Sequence, residues 1–106
     1  MPLYHPSKGY DVLRSVLEDA VLQASEGKGK ERHACVGEAF EDQQIVQLAE
    51  WMGSAQFDIG QACKKAIEST RMEPAAARRE LLGAINYLAA AVIVLDRVEA
   101  RKHAGG

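Results

Sequence analysis

Leu81-Leu82-Gly83-Ala84-Ile85-Asn86-Tyr87-Leu88-Ala89-Ala90-Ala91-Val92-Ile93-Val94-Leu95 is the longest uncharged run in the chain, and its reading decides the fold. Leu81, Ile85, Leu88, Val92 and Leu95 step by four and three, the spacing of a heptad seam. The opposite side carries Leu82, Ala89, Ala90 and Ile93. Pro74 suits a first helical turn, so the helix is predicted from Pro74 to Arg101, about 40 Å at 1.5 Å per residue. A helix apolar on every side must be covered on every side. Three short helices of the same chain do not suffice for that length, which predicts a homo-oligomer with the 74–101 helix at or near its centre. A monomer that buries this helix as its core strut is the alternative. The uncharged run has 15 residues, short of the roughly 20 that a membrane span needs, so no membrane contact is expected. Asn86, mid-helix in this run, is the expected buried polar residue, pairing with its symmetry mate or setting helix register.

Upstream, three shorter helices are predicted. The first runs from Asp11, a good N-cap, to about Ser25, with Val12, Leu13, Val16, Leu17, Ala20, Val21 and Ala24 as its apolar stripe. A second runs from about Glu41 to Met52, with Ile45, Leu48, Ala49 and Met52 facing inward and Trp51 in the core. A third runs from about Ala55 to Arg71 and turns Phe57, Gly60, Cys63 or Lys64, and Ile67 to one side. Gly60 costs about 1 kcal/mol against Ala in a helix interior, which points to close approach of another backbone. Residues 1–9, with Pro2 and Pro6, read as an irregular arm, residues 26–40 as a polar connector and residues 103–106 as a frayed tail. The fold class is therefore all-α: a single four-helix domain over residues 1–106 with a long apolar C-terminal helix.

Composition bounds the function. Thirteen basic and fifteen acidic residues leave a net charge of −2, which argues against non-specific DNA binding. Any anion site must be local. Two cysteines, Cys35 and Cys63, are too few for a disulfide scaffold. The N-terminus has no hydrophobic signal region, and a cytoplasmic location is expected.

The densest chemistry lies in the connector, at Gly27-Lys28-Gly29-Lys30-Glu31-Arg32-His33. Successive backbone N–H groups in a glycine-rich turn can form an anion-binding nest, and Lys28, Lys30, Arg32 and His33 add donors suited to phosphate or carboxylate. The order is not that of a Walker A loop, and no strand precedes it. A solvated basic loop is the plainer reading. Tyr10 and Phe40 flank the connector and are candidates to stack on a ring, while Lys64 and Arg71, seven apart and so on one helical face, are candidates to complete the pocket. The same cations serve solubility in the plainer reading, Lys64 through an i,i+4 pair with Glu68.

The sequence offers two sets of residues that could bind a metal. His33, Cys35 and Cys63 lack the spacing of a zinc site and an evident fourth ligand. Glu38 and Glu41 form an E-x-x-E pair of the kind that holds Mg²⁺, and here the chain resembles the all-α nucleoside triphosphate pyrophosphohydrolases related to MazG. That family pairs its E-x-x-E with an E-x-x-D on a later helix. This chain has no E-x-x-D, and the position three after Glu80 is Gly83. Glu38 and Glu41 then serve to cap and charge the start of the second helix. No metal, cofactor or catalytic residue is expected.

A second resemblance covers roughly residues 27–95. Lys28-Gly29-Lys30-Glu31-Arg32-His33-Ala34, Phe40-Glu41-Asp42-Gln43, Gly60-Gln61-Ala62-Cys63-Lys64-Lys65 and Glu80-Leu81-Leu82-Gly83-Ala84-Ile85-Asn86-Tyr87 resemble small all-α proteins of phage and prophage genomes. That resemblance implies an accessory protein in the bacterial cytoplasm and carries no activity. By analogy of context, it suggests a non-catalytic protein that sequesters an anionic ligand, such as a nucleotide or cyclic nucleotide immune signal, in pockets between subunits. The alternatives are a degenerate MazG-like pyrophosphohydrolase and a protein inhibitor that grips its target through the 27–33 loop.

Overall fold

The computed structural model describes residues 8–26 and 39–105, and among these it is all-α. The elements are α1 (Asp11–Glu26), a 3₁₀ turn (Phe40–Asp42), α2 (Gln44–Met52), α3 (Gln56–Ser69) and α4 (Pro74–Gly105). The expected four helices are present. The second starts later than expected because residues 40–42 close a 3₁₀ turn, with the Gln43 N–H donating to the Phe40 carbonyl at 3.0 Å. Gly53 ends α2 at φ 72°, a left-handed conformation that costs a Cβ-free residue nothing. Its N–H and that of Ser54 bond back to Glu50 and Ala49, satisfying carbonyls left over at the helix end. The last helix continues past Arg101 through the tail expected to fray.

The core forms where α2 and α3 pack on α4. Ile45, Val46 and Ala49 of α2 and Ala62 of α3 meet Ala84, Tyr87, Ala90 and Val94 of α4, with Phe40, Ala55, Phe57, Ile93 and Val98 around them. Ala84 and Ala90 of α4 and Ala62 of α3 are small, so the helices approach closely there. Gly83 extends this to its limit: a Cβ there would lie 3.2 Å from Cδ of Lys65. The Lys65 stem fills that notch, and its ammonium reaches Glu80 at 3.6 Å and the Tyr87 ring centroid at 5.9 Å.

Helix α3 presents a different face from the one expected. Asp58, Ala62 and Ser69 are buried, while Ile59, Gly60, Cys63, Lys64 and Ile67 are exposed. Small residues, not large ones, select the face because the opposing surface is alanine-rich. Among the described residues nothing lies within 4 Å of a Cβ built on Gly60, so the close approach of another backbone expected there is not among them. Helix α1 behaves alike. It docks on α4 through Ala20 and Ala24, and Val12, Leu13, Leu17, Val21 and Leu22 are exposed. Polar contacts secure the dock: Asn86 Nδ2 donates to the Ala20 carbonyl and Gln23 Nε2 to the Arg79 carbonyl, both at 3.0 Å, and Arg78 pairs with Asp19. Trp51, placed in the core by the sequence reading, is 86 % exposed.

Candidate functional site

The connector residues Lys28, Lys30, Arg32 and His33 lie outside the described residues, as do Glu38 and Cys35. Of the remaining candidates, Tyr10 is 55 % exposed at the entry to α1, and its carbonyl accepts the Arg14 N–H at 3.0 Å. Phe40 occupies the 3₁₀ turn, half-buried against the core cluster. Lys64 is exposed on α3. Arg71 is exposed in the turn beyond Ser69, where α3 ends, and its N–H bonds to the Glu68 carbonyl at 3.1 Å. Lys64 and Arg71 therefore do not share one helical face. At the end of α3 the Thr70 and Arg71 N–H groups tighten to i−3 bonds with the Ile67 and Glu68 carbonyls, the Ser69 and Thr70 hydroxyls also donate to carbonyls of the last turn, and Pro74 then opens the next helix.

Of the E-x-x-E pair weighed for Mg²⁺, Glu41 lies among the described residues. Glu41 is exposed in the 3₁₀ turn, and its backbone carbonyl accepts from Arg97 at 3.4 Å. Glu50 accepts from Arg97 and lies 3.8 Å from Arg101. The Glu50 hydrogen bond holds the Arg97 guanidinium above its ordinary pKa, aided by the nearby charges of Asp42 and Glu41. This cluster ties the 3₁₀ turn and α2 to the C-terminal half of α4. Among the described residues, no group of three or more His, Cys, Asp or Glu side chains is arranged to hold a metal ion.

Sequence reasoning missed Asp58. It sits in the first turn of α3, fully buried, and among the described residues neither carboxylate oxygen has a hydrogen-bond partner. Burial raises its pKa from 3.8 to about 6, since desolvation disfavours the charged form. An acid in a first helical turn ordinarily favours the helix dipole from the surface. The signal available in the sequence was its register: Asp58 is four before Ala62 and eleven before Ser69, on the one stripe of small residues along α3.

The arrangement has a built core, one helix with a bare apolar seam and scattered surface cations. Leu81, Leu88, Val92 and Leu95 of α4 are all exposed, and Ile85 is half-buried between them. By length and composition alone α4 is apolar enough to cross a membrane, as core helices of soluble proteins also are. No family model, curated protein or solved structure matches this chain.

Proposed function

We propose that the chain is a non-catalytic binding protein that assembles with copies of itself along α4. It sequesters an anionic small molecule, of the nucleotide or cyclic nucleotide class, between subunits. The observation that carries the assembly is the exposed seam Leu81, Leu88, Val92 and Leu95. A large apolar patch in water marks an interaction surface. The ligand class rests on the sequence of the 27–33 segment, whose glycines and cations suit phosphate. Tyr10, exposed at the start of α1, supplies a ring for a nucleobase, Phe40 offers a second at the far end of the connector, and Lys64 and Arg71 offer further charge. The implied setting is a phage accessory protein of the anti-defence type in the bacterial cytoplasm.

A thermal-shift screen against linear and cyclic nucleotides tests the ligand. A ligand at 100 times its Kd adds about 2.7 kcal/mol of stability, and intact nucleotide is recovered after heating. Lys28→Glu with Arg32→Glu abolishes the shift and leaves helicity and oligomer mass unchanged. No shift with any nucleotide, or consumption of one with Mg²⁺, overturns the reading.

A further inference from the structure

The two ionisation states of Asp58 favour different positions for the start of α3. In the packed fold Asp58 is 0 % exposed, one turn before the core residue Ala62, and among the described residues neither of its oxygens has a hydrogen-bond partner. A carboxylate buried in this way is costly, whereas the protonated carboxyl has no charge to desolvate. Its place on the helix acts in the opposite sense. Asp58 lies in the first turn of α3, where a carboxylate in water is stabilised by the helix dipole. The neutral form therefore suits a packed first turn and the charged form a solvated one. The surroundings supply no counter-charge. Tyr87 is the titratable group on the buried face of α4, and phenols ordinarily ionise near pH 10. At the edges, Lys65 of α3 pairs with Glu80 of α4, and Glu50 of α2 pairs with Arg97 and Arg101 of α4. Lys64 of α3 and Asp96 of α4 are exposed. None of the ion pairs among the described residues includes Asp58.

We propose that Asp58 is a proton-controlled latch: protonated, it closes the first turn of α3 onto the core, and ionised, it releases that turn into water about the link between α2 and α3. The link is suited to a pivot. Gly53 is exposed at φ 72°, and among the described residues nothing lies within 4 Å of a Cβ built on it. Ser54 Oγ accepts the Gln56 N–H at 3.1 Å, a bond within the link that can travel with the turn. Phe57, half-buried against the core, lifts with it. The later turns of α3 stay in place, held by Ala62 and by the Lys65 stem in the Gly83 notch. Neither the nucleotide nor assembly along α4 enters this device.

Amide hydrogen exchange on the full chain, corrected for intrinsic rates at each pH, tests it. Burial raises the carboxyl from 3.8 to about 6, and a released turn returns it to the ordinary value. Linkage then raises the opening constant about 50-fold between pH 4 and 7. The expected result is that amides 57–60 lose protection by about that factor. They also exchange faster than amides 84–94 of α4 at every pH, at rates that low urea does not change, as local opening requires. Asp58→Asn flattens the pH dependence. Protection at 57–60 that matches α4 in level and urea dependence overturns the latch, because the proton then acts on unfolding of the whole molecule. A flat wild-type profile, or an equal slope in Asp58→Asn, also overturns it. Should Asp58→Asn fail to fold, the ¹³C titration of the wild-type Asp58 carboxyl decides: a midpoint near 6 supports the latch and one near 4 overturns it.

Discussion

Asp58 is the residue at which this fold works against itself. Its folded pKa of about 6 lies above the 3.8 of the solvated side chain, so the native state binds the proton more tightly than the unfolded one. The contribution of Asp58 to stability is therefore full below about pH 4 and falls as pH rises towards 6 and beyond. The difference corresponds to about 3 kcal/mol, at 1.36 kcal/mol per tenfold change. Urea titrations of the wild type and Asp58→Asn between pH 4 and 8 isolate it: the stability difference between the two shifts in favour of the variant by about that amount as pH rises. Parallel pH profiles would show that the carboxyl is hydrated in solution. Trp51, the chain's single tryptophan, makes a second residue-level test. At 86 % exposure, its emission in the unassembled protein is expected to be red-shifted and fully quenched by iodide.

At the scale of elements, α1 and α3 are held by small residues. Ala20→Leu forces a larger side chain into the α1–α4 contact and strains the Asn86 bond to the Ala20 carbonyl. Overpacking of this kind costs about 1–3 kcal/mol, and hydrogen exchange should show α1 amides losing protection before those of α4. Val94→Ala in α4 removes fully buried volume and is expected to cost about 2 kcal/mol, measured by urea titration. Leu88→Lys is different in kind. Leu88 is 49 % exposed, so the helical content of the variant stays near that of the wild type while its sedimenting mass drops to that of a monomer. A wild-type mass for Leu88→Lys would show that α4 does not join the copies. The helices themselves were legible from apolar spacing, the Pro74 start and the Gly53 stop. Their inward faces were less so, because a stripe of leucines outweighs a stripe of alanines in any reading by hydrophobicity. The alanines win in the fold because they let backbones close on a helix that is itself alanine-rich.

The whole molecule leaves a large share of its leucine, isoleucine and valine side chains in water, on α1, α3 and α4. A single copy thus leaves the Leu81, Leu88, Val92 and Leu95 side of α4 in water, and the association proposed above would remove that surface from solvent. Loss of the nucleotide thermal shift in Lys28→Glu, Arg32→Glu, with assembly intact, is the test of function at this scale. The sequence by itself determined the all-α class and, to within a few residues, the positions of four helices. Periodicity, proline and glycine act locally and need no partner to be read. Tertiary structure alone decided that α1 docks by Ala20 and Ala24, that Asp58 is buried without a hydrogen-bond partner among the described residues, that Trp51 stands in solvent, and that Arg71 leaves the face of Lys64. Each of these depends on which surfaces come within a few ångströms of one another, and that is set by the shape of the alanine-lined side of α4, a property of the folded chain as a whole.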